Sequence, residues 1–214
     1  MALKLHGYWR SSAAYRVRIA LNIKGQAYET VGHDLRIGAQ RDPAFLDLAP
    51  QGLVPALETV EGVFVQSSAI LEWLDEAVPS PALLPADRKG RAIVRAMAAL
   101  IGCDIHPLNN LRVLNTLRGD LGAQPEAVTR WMTRWIADGF TALEVQIARN
   151  GAGYAYGDTP TLADCFLVPQ VYSAERFKVD LAPFPHIRGA AERARVLPAF
   201  QAAHPDRQQD AELT

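Results

Sequence analysis

The hydrophobic patterning of this chain changes character once, at the proline-rich stretch PSPALLPADRKG (79–90), and no other feature constrains the fold as much. Before it, short β-prone runs alternate with helical periods. LKLHGYW (3–9) reads as a strand. A helix follows from Ser11, with Val17, Ala20 and Leu21 on its apolar face and Lys24-Gly25 as its C-terminal stop. AYETVGHDL (27–35) reads as a second strand, and DPAFLDLAPQG (42–52) as a short, loose helix with Pro43 near its start. LVPALET (53–59) and VFVQ (63–66), joined through Gly62, form a hairpin, and SSAILEWLDEAV (67–78) is a third helix. The order βαβ, α, ββ, α predicts a mixed α/β domain over residues 1–84.

After the prolines the β signals vanish, so residues 89–214 are predicted to be all-helical, with the prolines as linker. The helical pattern of 91–119 is interrupted at Pro107, where a kink or break is expected. Residues 125–149 form a helix with Pro125 at its first position. Residues 159–177 form another, opened by a Thr161–Asp164 capping pattern and bent at Pro169. FPHIRGAAERARVLPAF (184–200) supplies one or two more, and the polar tail HPDRQQDAELT is expected to fray.

Composition narrows the partners. A formal net charge of −1 over 214 residues leaves no electrostatic footprint for nucleic acid or an anionic membrane surface. No run of about 18 apolar residues is present to span a bilayer. The start, MALKLHGYW, lacks the charged-then-apolar build of a secretory signal. Cys103 and Cys165, without a CxxC, are expected to be buried reduced thiols, and a cytoplasmic location fits them.

Candidate functional residues collect at element ends of the first domain, where backbone groups are free to bind a ligand. Ser11 and Ser12, preceded by Arg10, lie between the first strand and first helix. Pro55 stands at the entrance to the third strand, and Gln66-Ser67-Ser68 at the start of the third helix. In the helical half, His106, Asn109, Asn110 and Val113 fall at i, i+3, i+4 and i+7 and are predicted to share a helix face. That spacing fits a solvated surface, a satisfied buried cluster or a binding wall. One histidine with two asparagines is not a zinc donor set, and no HExxH exists, so no metal is expected.

Three long segments, RSSAAYRVRIALNIKG, DIHPLNNLRVL and GDTPTLADCFLVPQVYSAERFKVDL, resemble the zeta class of glutathione transferases, including the bacterial maleylacetoacetate and maleylpyruvate isomerases. The resemblance runs in order along nearly the whole chain. It implies a thioredoxin-like N-terminal domain that binds glutathione and an all-α C-terminal domain that helps bind the second substrate. Where the family motif has cysteine this chain has Ala13, and Ala49 stands where an asparagine is usual.

Residue by residue, the resemblance places Ser11 against the glutathione sulfur, with Ser12 and Ala13 in the same turn. A cis Val54–Pro55 bond presents backbone to the cysteinyl part. Gln66 and Ser67 hold the γ-glutamyl carboxylate, and Gln40 and Gln51 touch the glycyl end and backbone. Asp104, His106, Asn110 and Arg112 contact glutathione from the helical domain. Arg10, Arg112 and Arg176 line the pocket of a dicarboxylate substrate, while Arg16 and Arg18 are expected at the surface or a dimer contact. The implied activity is conversion of maleylacetoacetate to fumarylacetoacetate by thiolate addition, bond rotation and elimination, with glutathione as cofactor and a homodimer as the assembly. Maleylpyruvate isomerisation, conjugation of small electrophilic acids and a non-catalytic binding role are the alternatives.

Elementary energetics fit this reading. Lowering a thiol pKa from ~8.5 by roughly two units takes about 2.7 kcal/mol. A helix N-terminus supplies about 0.3–1 kcal/mol, up to ~2 when partly buried, and a hydroxyl hydrogen bond to a charged group ~1.5–3 kcal/mol. Together these suffice, which rationalises two serines in front of one helix: one to cap it and one to face the sulfur.

Overall fold

Four strands and three helices build the first part of the chain in a computed structural model that describes residues 2–211. The elements are β1 (Lys4–Gly7), α1 (Ser12–Ile23), β2 (Glu29–Gly32), α2 (Pro43–Leu48), β3 (Ala56–Thr59), β4 (Gly62–Val65) and α3 (Ser67–Ala77), in the order the patterning predicts. The sheet order is β2-β1-β3-β4. β1 pairs with β2 in parallel and with β3 antiparallel, and β3 with β4 antiparallel. Leu5 and Leu57, opposite each other in the register, are buried, as are Val17 and Leu21 of α1 and Ile70 and Leu74 of α3. Gly25, at φ +63, ends α1 in the left-handed conformation that glycine adopts most cheaply.

α1 and its C-cap residue together carry three buried cations. Arg16 and Arg18 are 3% and 2% exposed, so the expected surface or dimer-contact placement is incorrect for both. Arg18 donates to the Trp9 carbonyl at 2.9 Å and the Ala203 carbonyl at 3.0 Å, spending its fork on backbone acceptors inside the first unit. Lys24 Nζ donates to Asp75 Oδ1 (2.6 Å) and to the carbonyls of Val78 (2.6 Å) and Pro81 (2.5 Å). Three ammonium protons thus meet three acceptors.

The helical region contains α4 (Arg88–Ala99), a π-turn (Leu100–Ile105), a 3-10 turn (Pro107–Asn109), α5 (Leu111–Arg118), α6 (Pro125–Asn150), α7 (Leu162–Arg176) and α8 (Pro185–Arg195). The expected break at Pro107 is present and Pro125 sits in the first turn of α6. Cys165 is buried, but Cys103 on the π-turn is exposed, contrary to the expectation that both are buried. Among the described residues no helix is long and apolar enough to cross a membrane.

The last segment departs from the predicted grouping. Contacts divide the chain into Met1–Leu83 with Arg195–Thr214, and Leu84–Ala194. α9 (Pro198–Ala203) packs on α1, tied by Arg18 and by Asn22 Nδ2 donating to the Ala199 carbonyl at 3.0 Å. The tail, expected to fray, continues through a 3-10 turn at Pro205–Arg207 to Asp210, whose Oδ2 accepts the Trp9 backbone N–H at 2.9 Å. Residues 212–214 of that tail lie outside the described residues.

Thr161 and Asp164 close a capping box at the start of α7. Fully buried Asp164 accepts the N–H groups of Thr161 and Ala155, both at 2.8 Å, and the Thr161 hydroxyl at 3.0 Å. Burial pushes its carboxyl up to about 6 despite these hydrogen bonds, which pull the other way. A carboxyl raised in the folded state contributes stability that is full below its unfolded pKa and is lost as pH rises through the folded value. Asp164→Ala should therefore destabilise the protein by about 2–4 kcal/mol at pH 7, because the partners lose their acceptor. The loss should be larger at pH 4.5. Urea denaturation of both proteins at the two pH values checks this; a loss that grows with pH would contradict it.

Candidate active site

The register of the sheet gathers the first-unit candidates at one end of it. β1 runs out at Gly7 into the Tyr8–Ser11 turn. His6 lies opposite Ala56, so Val54–Pro55, just before β3, falls at that same end. Ala56 in turn lies opposite Val65, which brings Gln66 and Ser67 there as well. The Val54–Pro55 peptide is cis, as the resemblance implies, and so is Ser80–Pro81, which it did not.

Ser11 is the N-cap of α1: its backbone is extended and its Oγ accepts the Ala14 N–H at 3.2 Å. Ser12 and Ala13 are the first two helical residues, half-buried. The proposed division of labour between two serines is thus unnecessary. A hydroxyl has one proton and two lone pairs, so Ser11 can accept from Ala14 and still donate to an anion. Arg10, half-buried, lies over the Trp9 ring at 5.1 Å. Asp34, close by in charge terms, is held below the usual carboxylate range by hydrogen bonds from Arg36, with Arg10 adding a smaller pull.

Gln66 caps α3 with φ 68 and ψ 114, an unfavourable backbone for a residue with a Cβ, of a kind that costs about 1–3 kcal/mol and clusters at ligand sites. Its Nε2 donates to Gln51 Oε1 at 2.6 Å, joining two candidates directly. Ser67 opens α3 and accepts from Arg16 Nη1 at 3.2 Å. Gln40 Oε1 is buried without a partner among the described residues. An orphaned acceptor there fits a ligand bearing amide N–H groups. The free N–H groups of two helix starts and a serine hydroxyl fit one bearing a carboxylate and a thiolate. The residues present therefore fit glutathione.

On the helical unit, Asp104 is exposed on the π-turn and His106 follows it, half-buried. Asn110 caps α5, its Oδ1 accepting the Arg112 N–H at 3.2 Å. The predicted common face of His106, Asn109, Asn110 and Val113 is not formed. Asn110 is extended (φ −68, ψ 147), so Pro107 breaks the helical spacing rather than kinking it. Arg112 is exposed on α5, and Arg176, the last residue of α7, is exposed with its guanidinium 4.4 Å from the Phe177 ring centroid.

Sequence reasoning missed Arg16 and Asp210, which grip Ser67 and Trp9 from behind. It also missed a titratable chain across the sheet: His6 Nε2 is 2.7 Å from Glu58 Oε1, and His6 Nδ1 is 2.9 Å from His33 Nε2. Burial and the His6 ring push His33 below its ordinary value, against a weaker opposing pull from Asp42. The one cue to Arg16 was its place four residues after Ser12, on the same helix face.

The chain is similar to known proteins along nearly its whole length. Residues 5–82 match the glutathione S-transferase N-terminal domain and residues 125–202 the C-terminal domain. A maleylpyruvate isomerase from a Ralstonia species is 51% identical over 97% of this chain and 99% of its own. A maleylacetoacetate isomerase from Pseudomonas aeruginosa is 49% identical over 97% and 98%. Among solved structures, the holo form of maleylpyruvate isomerase, a bacterial zeta-class glutathione S-transferase, superposes with a TM-score of 0.96 at 51% identity, covering 98% of this chain and 100% of that one. A maleylacetoacetate isomerase from Anaeromyxobacter dehalogenans with glutathione in its active site gives 0.90 at 46%, covering 99% and 98%.

The capping role of Ser11 is measurable without any ligand. Ser11→Ala should lower stability by about 1 kcal/mol, and Ser12→Ala by a few tenths at most. Urea denaturation separates them; equal losses would show that Ser11 is not the cap.

Proposed function

The chain belongs to the glutathione S-transferase family, zeta class, and on that footing we propose that it is a glutathione-dependent cis–trans isomerase converting maleylacetoacetate to fumarylacetoacetate. The observation that carries the reading is the α1 N-terminus: a capping serine with a free proton, uncapped helix N–H groups and Arg10 immediately before it. Bound glutathione supplies a thiolate that adds to the cis double bond and later leaves, so that the bond can rotate while it is single and the cofactor is returned.

The residues of the chain do the rest. Ser11 donates to the sulfur and, with the α1 N-terminus, holds it ionised; Ser12 and Ala13 complete the turn. The absence of the family cysteine at Ala13 is tolerated, because the nucleophile belongs to the cofactor. Val54–Pro55 presents backbone to the cysteinyl part, Gln66 and Ser67 hold the γ-glutamyl carboxylate, and Gln40 and Gln51 hold the glycyl end. From the helical unit, Asp104, His106, Asn110 and Arg112 contact glutathione. Arg10, Arg112 and Arg176 grip the carboxylates of the substrate, where planar forks outperform lysine. They also offset charge that develops in the transition state. A trio of such arginines would be unnecessary in a non-catalytic binding protein.

Maleylpyruvate is the second reading, favoured by the 51% identity and the 0.96 TM-score of the maleylpyruvate isomerase. The two substrates differ in the acyl tail beyond the reacting bond. A homodimer is part of the proposal, supported by the partly exposed apolar side chains of edge strand β4, Val63 and Val65. A cytoplasmic location, where glutathione is abundant and thiols stay reduced, completes it.

Purified protein should convert maleylacetoacetate, or failing that maleylpyruvate, to its fumaryl isomer only with glutathione present and without net loss of thiol. Stoichiometric thiol loss would mean a conjugating transferase, and full activity without glutathione would overturn the mechanism. Arg176→Ala should cost about 2 kcal/mol, the low end of the range for removing one partner of a desolvated charge pair. That corresponds to roughly 30-fold in kcat/KM. Lysine should restore the loss only in part.

A further inference from the structure

Arg16 is buried to 3% exposure beneath the start of α3, and its Nη1 donates to Ser67 Oγ at 3.2 Å. Guanidinium carries donors only, so the polarity of this bond is fixed: Ser67 must accept. Accepting uses a lone pair and leaves the single hydroxyl proton uncommitted. Among the described residues no side chain or backbone carbonyl takes that proton. Yet Ser67 is only 7% exposed, and buried donors are almost always spent.

The unspent proton therefore has one direction left, outward past the first turn of α3, where the backbone N–H groups also point. Alone, a serine at a helix start can rotate its hydroxyl to accept from a backbone N–H or to donate to a carbonyl. With a donor-only group behind it, one lone pair is committed and the proton is turned away from that side. We infer that Arg16 is a positioning residue that turns the Ser67 hydroxyl proton toward an anionic ligand group. On the reading above, on which this inference rests, that group is the γ-glutamyl carboxylate.

A buried arginine is costly to place in a core, and here its position also explains why α1 and α3 can share one ligand. α1 brings the cap that faces the sulfur, and Arg16, one turn on from Ser12, reaches the hydroxyl that faces the carboxylate. The spacing of thiol and carboxylate subsites is thereby tied to a single helix.

The test is glutathione affinity by calorimetry on the full-length protein with Arg16→Lys, Arg16→Gln, Arg16→Met and Ser67→Ala, together with the Arg16→Met/Ser67→Ala double variant. Lysine is donor-only and should keep the dissociation constant within about threefold of wild type. Glutamine has an amide oxygen that can capture the Ser67 proton, and should weaken binding by roughly tenfold or more. Methionine should weaken it as much in the wild-type background but by less than twofold when Ser67 is already alanine. Equal affinities for the lysine and glutamine variants, or an undiminished methionine effect in the Ser67→Ala background, would overturn the inference. Should the methionine variant fail to fold, the lysine–glutamine contrast decides alone. A wild-type protein that binds no glutathione would instead overturn the functional reading before any variant is compared.

Discussion

The buried cations of α1 are the constraint on which the first unit depends. A charged ammonium or guanidinium inside a protein is tolerated only where its donors are met, and meeting them fixes position in a way that apolar packing does not. Lys24 at the helix end has one such seat, formed by Asp75 and the carbonyls of Val78 and Pro81. Asp75 Oδ1 also accepts the Leu83 N–H at 2.7 Å, so the same carboxylate anchors the chain that leaves α3. Arg18 in mid-helix bridges the Trp9 and Ala203 carbonyls. Displacing α1 along its axis would break all of these contacts together.

That rigidity is what the helix N-terminus needs. Catalysis by a bound thiolate asks for donors already aimed at the charge, since dipoles that must reorganise lose much of their advantage. Ser11 is fixed by capping α1, and the turn before it is held from outside by Asp210, whose carboxylate accepts the Trp9 N–H. Gly32 lets this tail approach: a Cβ there would stand 3.3 Å from the Asp210 side chain. The strained backbone of Gln66 is a second sign that local stability has been given up for geometry.

Much of the fold was legible because its signals are local. The β-prone runs ALET and VFV, the glycine between them, and prolines at helix starts act within a few residues, and the structure follows them closely. The Thr161–Asp164 box was legible for the same reason. What failed was long-range. Charges at 16 and 18 look like a solvated helix face until the acceptors are known, and Ser67, Ala203 and Trp9 are not implied by spacing. The tail looks polar and mobile until Arg18 and Trp9 supply its anchors. The 3-10 turn at Pro107–Asn109 and the extended Asn110 interrupt an apparently helical spacing and take His106, Asn109, Asn110 and Val113 off one face. For the site, the serines, the Val54–Pro55 step and Gln66-Ser67 stood out at element ends, but their chemistry came from resemblance to a family rather than from spacing.

The central claim is that α1 and its cap hold a bound thiol ionised near neutral pH. The direct measurement is the ultraviolet absorbance of thiolate in the glutathione complex, titrated against pH for the wild type and for Ser11→Ala. The account requires a thiol pKa about two units below the ~8.5 of free thiol in the wild type, rising by about one unit or more when the hydroxyl is removed. A wild-type complex that titrates like free glutathione would contradict it.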